Sequence, residues 1–537
     1  MGWMPGIGEI QLVFLLLLLF VAVFGLLARR IGIPYPIVMV VAGLLLGLVP
    51  GIPGITLNPD LVFLVVLPPL LYAAAWNTSW RDFRYNLVSI SLLAFGLVGF
   101  TIVGVALVAP RVFAGFDWRL GFALGAVVAP TDAIAATSIA RRVGLPGRIV
   151  DILEGESLIN DATGLLALQF ATAIVVQKHA PTVSSGMLTF AWLVGGGIGL
   201  GLLVGWVVDC IERRIDDGPI EITLSILVPY AVYLAADAVH ASGVLAVVAC
   251  GLFLSRHSVN FFSPSVRLQI WSVWQSLNFV LNGLVFVLIG LQLPAIRASI
   301  RGHSLSTLVV DGAVFSALII LLRLVWVFPG AGMAWLVRTR IAHHNERPPS
   351  LRAIFVLGWT GMRGVVSLAA AIALPVVLAD GSPFPQRNLM IFLTFCVIFV
   401  TLVLQGVTLP PFIRALGLAG AVGPNCEEQE ARRIVLEAAV SHLEDAKERD
   451  SQESAPLYED LSRHYHQRLA SLQPGGGNPE EIADHNRYLE LSLEASRVER
   501  ETAIRLRDEG RINDEVLRRI ERELDLSESR MASSADT

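Results

Sequence analysis

The chain has 537 residues, 54% of them hydrophobic and 16% charged, with a formal net charge of −5 and a mean hydropathy of +0.64. That is too apolar for a water-soluble body of this length, and the charge is segregated: residues 1–420 are long apolar runs, while residues 421–537 are rich in Glu, Arg and Asp. The composition describes a membrane domain followed by a soluble tail. Cys210, Cys250, Cys396 and Cys426 are scattered without metal-ligand spacing, so neither a metal cluster nor a disulfide framework is expected. No cofactor and no nucleic-acid partner is expected either.

The first apolar run, Ile10 to Leu27, is followed by no small-residue cleavage site and leads directly into further apolar sequence. It reads as a first membrane helix, not a removed signal peptide. Runs near the length of about 20 residues that crosses a bilayer follow at 8–28, 34–50, 60–78, 87–109, 119–140, 148–176, 187–209, 220–238, 242–256, 269–293, 306–330, 351–376 and 388–412. The fold class is therefore an all-α polytopic membrane protein with about 13 transmembrane helices. Placing the N-terminus outside puts fifteen basic residues in one set of short loops (Arg29, Arg30, Arg81, Arg84, Arg141, Arg142, Arg148, Arg213, Arg214, Arg256, Arg267, Arg338, Arg340, Arg347 and Arg352). The opposite set holds six (Arg111, Arg119, Lys178, Arg297, Arg301 and Arg387). The excess assigns the first set, and the tail, to the cytoplasm.

Two spans are interrupted. In Val127-Val128-Ala129-Pro130-Thr131-Asp132, a proline lies mid-span, where it withholds a donor from the helix ladder and frees carbonyls. The second interruption is Gly358-Trp359-Thr360-Gly361-Met362-Arg363-Gly364. They occupy corresponding places in the two halves of the chain, each the fifth of six spans if the seventh is a linker. Paired interrupted helices point to a transporter of inverted repeats, here two six-helix repeats with crossed discontinuous helices and a site near the bilayer midplane.

Between them runs Glu156-Ser157-Leu158-Ile159-Asn160-Asp161, flanked by apolar sequence on both sides. A carboxylate within hydrocarbon is expensive, and Asp161 marks a functional site, binding a proton or a small cation, unless it serves as a structural ion pair. Thr131, Asp132 and the freed carbonyls offer hard oxygen ligands for a cation such as Na⁺; alternatively, Asp132 simply caps the restarted helix. Glu156 and Asn160 are four residues apart and share a helix face, with Asp161 rotated from Glu156 by roughly 140°. A buried Glu156 needs a partner. Arg363 in the second break is the first candidate, with Arg323 the alternative. Asn160 is neutral, so one titratable group exchanges one proton for one monovalent cation, with no net charge moved. Asn278 and Asn282 share a face and read as interhelical packing.

Ala129-Pro130-Thr131-Asp132, Glu156 through Gly164, Gly361 through Leu368 and Asn282 through Leu293 together resemble the monovalent cation:proton antiporter-1 family, the NhaP-type and NHE-type sodium/proton exchangers. The likeness covers about residues 10–415, with the motifs in order. It implies thirteen spans and a homodimer, with a core domain (87–176 and 306–412) moving like an elevator against a dimerisation domain (8–78 and 220–293). By this resemblance Asp161 is the shared proton and cation site. Thr131 and Ser157 offer oxygens to the transported Na⁺, Asn160 and Asp132 support it, and Glu156 is a further ligand or an ion-pair partner. Arg363, Arg323, Pro130, Gly361 and Gly364 build the crossing. Na⁺ and H⁺ are the expected substrates, with K⁺ or Li⁺ as alternatives, in a lipid-embedded inner (plasma) membrane protein that regulates intracellular pH and sodium.

In the tail, residues 427–470 and 479–527 read as two helical stretches of a cytoplasmic appendage, either regulatory or passive, divided at Pro474 to Pro479. Ile504, Leu506, Ile512, Val516, Leu517 and Ile520 form a partial apolar stripe in the second. Two other classes compete. A channel needs an open polar path with weak binding. An intramembrane enzyme needs a nucleophile and base or a metal cluster, which the sequence does not offer.

Overall fold

A computed structural model describes residues 7–49, 57–177, 183–258, 262–300, 304–340, 348–420, 426–449, 455–471, 479–509, 511 and 514–535. Lys178, Arg301, Arg347, Ile512 and the 474–478 divider lie outside these residues, as does the side chain of Cys426. The chain forms two compact units, Met1–Ala421 and Val422–Thr537.

The first unit is all helix. Its elements are α1 (Ile7–Ile31), α2 (Tyr35–Gly47), α3 (Pro59–Asn77), α4 (Trp80–Val112), α5 (Trp118–Val128), α6 (Ala133–Val143), α7 (Gly147–Gln177), α8 (Val183–Glu212), α9 (Gly218–Ala238) and α10 (Gly243–His257). There follow α11 (Pro264–Ser299), α12 (Leu305–Arg340), α13 (Leu351–Trp359), α14 (Val365–Ile372) and α15 (Arg387–Ala415). Among the described residues, nine helices are long and apolar enough to cross a bilayer, or ten if the bent pair α5–α6 counts as one span. This is fewer than the thirteen expected. Two of the other expected spans, α2 and α10, are short apolar helices, and the 351–376 run is divided into α13 and α14.

Side-chain caps fix where several helices begin. Asp117 Oδ1 accepts from Leu120 N–H at 2.9 Å at the start of α5, and Ser242, Ser263 and Ser350 do the same for α10, α11 and α13. Each satisfies a backbone donor that the helix cannot, worth about 1 kcal/mol. Gly144, at φ 74°, closes α6 in the left-handed conformation that glycine adopts at no steric cost.

Burial divides the helices. Two-thirds of the apolar window of α15 is buried, against 17% for α1 and for α8. Leu15, Leu26, Leu188 and Leu203 are correspondingly exposed, as expected of helices whose outer faces meet lipid. α2 and α11 approach most closely at glycines: a Cβ on Gly43 would lie 2.3 Å from Val287 O, and one on Gly290 the same distance from Val40 O. Small residues let two membrane helices pack backbone to backbone, and α11 is held firmly where it faces the site described below.

Among its described residues the second unit contains four helices, α16 (Cys426–Arg449), α17 (Ala455–Ser471), α18 (Pro479–Asp508) and α19 (Asp514–Ala535). Each of the two expected stretches is thus divided in two. Leu517 from the expected stripe is buried, together with Ala503 and Leu524, whereas Val516 is 39% exposed. Arg500 bridges from α18 to Asp525 at 2.7 Å and Glu528 at 3.0 Å on α19.

Candidate ion-binding site

The two interruptions meet. α5 ends at Val128, the chain is non-helical from Ala129 to an extended Asp132, and α6 restarts at Ala133, bent by 43° from α5. In the second, α13 stops at Trp359 and α14 restarts at Val365. The backbones are joined directly, with Asp132 N–H donating to Met362 O at 2.8 Å. Gly364 makes the approach possible, since a Cβ there would lie 2.2 Å from Asp132 Oδ2.

Interrupting two helices in a membrane leaves orphan donors and carbonyls with no water to meet them, and side chains satisfy several of these. At the start of α6, Asp132 Oδ1 accepts from Ile134 N–H at 2.8 Å and Ser157 Oγ from Ala133 N–H at 3.3 Å. At the end of α5, Arg363 Nε donates to Val128 O at 3.2 Å, while its Nη1 donates to Gly361 O. The negative group therefore sits where helices begin and the positive one where they end, which is favourable for both sets of backbone dipoles. Thr401 Oγ1 accepts from Arg363 N–H at 3.1 Å. Ser367 Oγ lies 3.5 Å from Pro130 O, a weak donation.

Glu156, 1% exposed, is held by Arg323: Nη1 meets Oε1 at 2.5 Å and Nη2 meets Oε2 at 2.9 Å. The expectation that Arg363 is its first partner is corrected here. The freed carbonyls of the two breaks take the Arg363 guanidinium, and Arg323 lies across Gly361, whose Cβ would sit 2.1 Å from Arg323 Cδ. Arg323 also donates to Leu357 O at 3.2 Å near the end of α13. A two-pronged, fully buried pair of this kind satisfies both charges at once.

From Glu156 a polar chain runs to the centre. Thr131 Oγ1 donates to Glu156 Oε1 at 2.9 Å and accepts from Asn160 Nδ2 at 2.6 Å. The Asn160 amide is thereby oriented, with its Oδ1 buried and unpartnered among the described residues. Asp161 follows on α7, 7% exposed. It lines a cavity of about 390 Å³ together with Thr131, Asp132, Ser157 and Gly364. Among the described residues its carboxylate makes no hydrogen bond or ion pair.

The structure thus gathers Thr131, Asp132, Ser157 and Asp161 around one cavity, with Asn160 and Glu156 immediately behind. Pro130, Gly361, Gly364, Arg323 and Arg363 form the crossing itself. Asn278 and Asn282, read from sequence as packing, face the same cavity from α11. So do Asn77 and the ion pair of Arg141 and Glu154, 2.7 Å apart. From sequence, Asn77, Asn278, Asn282 and Glu154 offer only polarity in otherwise apolar helices, and Arg141 reads as part of a basic loop. Thr401 offers no signal beyond lying in a long apolar run.

Interrupted helices crossing at a buried carboxylate, within a multi-span helical body, define an ion-coupled secondary transporter. A family model described as the transmembrane sodium/hydrogen exchanger matches residues 15–415. The chain is 34% identical over 549 residues to a sodium/proton exchanger of Mycobacterium tuberculosis, covering 99% of this chain and 98% of that one. It is 33% identical to a sodium, potassium, lithium and rubidium/proton antiporter of Bacillus pumilus, over 87% of this chain and 70% of that one. The solved sodium proton antiporter MjNhaP1 of Methanocaldococcus jannaschii shares the fold with a TM-score of 0.60 at 19% identity, covering 78% of this chain and all of that one. The chain belongs to the sodium/hydrogen exchanger family. It is a multi-pass membrane protein and a secondary active sodium/proton antiporter, not an enzyme.

Proposed function

We propose that Asp161 is the single site shared by the proton and the cation, and that exchange is electroneutral, one for one. The observation that carries this is the uncompensated Asp161 carboxylate: nearly buried, lining a cavity, with no partner among the described residues. A lone buried carboxylate is stable only when neutralised, so either a proton or a cation must occupy it, and each displaces the other. Thr131, Ser157 and Asn160 supply neutral oxygens that replace part of the cation's hydration. Asp132 is committed to capping α6 through Oδ1, and Glu156 is bound to Arg323; Asp161 is the carboxylate with neither duty. Reorientation restricted to the neutralised site suppresses leak.

The rest of the reading follows the family. Adding α2, α10 and the pair α13–α14 to the ten spans gives thirteen, in two inverted repeats. The core carries the crossing, the remaining helices dimerise two copies in the plasma membrane, and the core moves against them like an elevator. The N-terminus lies outside and the tail in the cytoplasm, where it modulates transport. Na⁺ is the principal cation; K⁺ is the second reading, favoured by the range of ions in the name of the Bacillus pumilus relative.

The test is proton flux in proteoliposomes under an imposed pH gradient, with Na⁺, Li⁺ and K⁺ added in turn and the membrane potential clamped and then varied. Cation-dependent flux that ignores voltage and vanishes in Asp161→Asn is the expected result. Flux or current surviving in D161N sinks the assignment and favours a channel.

A further inference from the structure

The 390 Å³ cavity at Asp161 has a neighbour. A larger cavity of about 1130 Å³ lies beside it, and the two share three lining residues, Ala73, Asn77 and Asn278. Arg29, Arg142 and Arg267 line the larger cavity, and no described residue lining it carries a carboxylate. Arg29 and Arg267 have no ion-pair partner among the described residues. The smaller cavity carries Asp132, Glu154 and Asp161 against Arg141 alone. A cation passing from one to the other would leave a positive cavity for a negative one, past the neutral shared side chains of Ala73, Asn77 and Asn278. Bare positive charge repels cations over roughly 10 Å at ordinary ionic strength, so a cation is held more readily at the shared residues and beyond them than among Arg29, Arg142 and Arg267.

The amides among those shared residues suit the task. Asn77 Nδ2 donates to Ala73 O at 2.8 Å, which fixes the amide on the wall shared by the two cavities and leaves its oxygen without a hydrogen-bond partner among the described residues. Asn278 Oδ1 is buried without a hydrogen-bond partner among the described residues, a costly arrangement unless something transient fills it. Asn282 lies one turn further along α11, on the wall of the Asp161 cavity. The platform is stiff, because α11 is locked to α2 at Gly43 and Gly290 and Trp274 Nε1 donates to Ser225 Oγ at 3.1 Å. Amide oxygens are hard, neutral ligands of the kind that coordinate alkali cations.

We propose that Asn77 and Asn278 form a second cation-binding station, at which a monovalent cation exchanges part of its water for amide oxygens on the way to Asp161, and that this station sets discrimination among Na⁺, Li⁺ and K⁺. The inference rests on the reading of Asp161 as the transport site. The station belongs to α3 and α11, helices separate from the crossing, so it discriminates before the ion reaches the proton-coupled carboxylate.

The test is cation KM in proteoliposomes for Na⁺, Li⁺ and K⁺, comparing wild type with Asn278→Leu, Asn278→Asp and Asn77→Leu. In N278L and N77L the ratio of the KM values between ions shifts by about three- to tenfold, while the dependence of KM on pH is unchanged. In N278D, where the added carboxylate attracts cations, KM falls for all three ions. A loss of maximal rate with unchanged KM ratios in both leucine variants, or no fall of KM in N278D, overturns the proposal; should N278L not assemble, N77L and N278D decide it. Failure of the underlying reading is distinct, because it shows as coupled flux in D161N.

Discussion

The first interruption is made of a proline, a threonine and a carboxylate, all on the wall of one cavity; the second is made of glycines and an arginine and reaches that cavity at Gly364, with its arginine turned away. Thr131, Asp132 and their neighbour Asp161 line the 390 Å³ space, whereas Arg363 is wholly buried. The two differ because a crossing of four half-helices has two kinds of end. Backbone donors gather where α6 and α14 begin, and carbonyls where α5 and α13 finish. Asp132 serves the first kind from one break, and Arg363 serves the second from the other. Asp132 caps the helix restart of its own break while Arg363 reaches across to the carbonyl of the other, and this leaves Asp161 as the carboxylate without a structural duty.

That division is open to attack by substitution, most severely at the ion pair behind it. Glu156→Gln leaves Arg323 charged and buried, and loss of one partner of such a pair costs about 3–5 kcal/mol. The thermal midpoint of the detergent-solubilised protein is expected to fall sharply, and adding Arg323→Met to be partly restoring. An unshifted midpoint in E156Q would mean that Glu156 is held in place by something other than Arg323.

Gly364→Ala comes next. The new Cβ would meet Asp132 Oδ2 at 2.2 Å, prising the breaks apart at a cost of about 1–3 kcal/mol. Transport is expected to be lost along with some of the stability, whereas retention of full transport would show that the close approach is dispensable.

Asp132→Asn sharpens the comparison most finely. Asparagine caps a helix as well as aspartate does, so only the charge at the helix starts is removed, worth about 0.3–1 kcal/mol. Cation exchange is expected to persist in D132N. Loss of exchange with the midpoint unchanged would transfer part of the transport role from Asp161 to Asp132.

How much of this was legible beforehand follows from what each feature depends on. The breaks are local chemistry: Pro130 followed by Thr131 and Asp132, and the glycines at Gly361 and Gly364, combine a helix breaker with polar side chains mid-span, so their positions are readable directly, whereas Pro329 alone leaves α12 unbroken. Asp161 announces itself by being charged among apolar neighbours. The partner of Glu156 is another matter. Arg323 is 167 residues away on an uninterrupted helix, and the competition between two buried arginines is decided by orphan carbonyls that exist only once the helices cross. The duty of Asn278 was hidden for a related reason, since an amide facing a neighbouring helix and one facing a cavity have the same sequence pattern. Span counting suffered from length: α2 and α14 are shorter than a bilayer-crossing helix, because neighbouring protein rather than lipid surrounds part of their course.

The central claim is that proton and cation compete for one carboxylate, and the most direct measurement is the KM for Na⁺ in wild-type proteoliposomes as a function of pH. On the acidic limb, where Asp161 is protonated at rest, displacement of one proton per cation raises KM by about tenfold for each unit fall in pH. A slope near one is the predicted result. A KM indifferent to pH, or a slope near two, would contradict a single shared site.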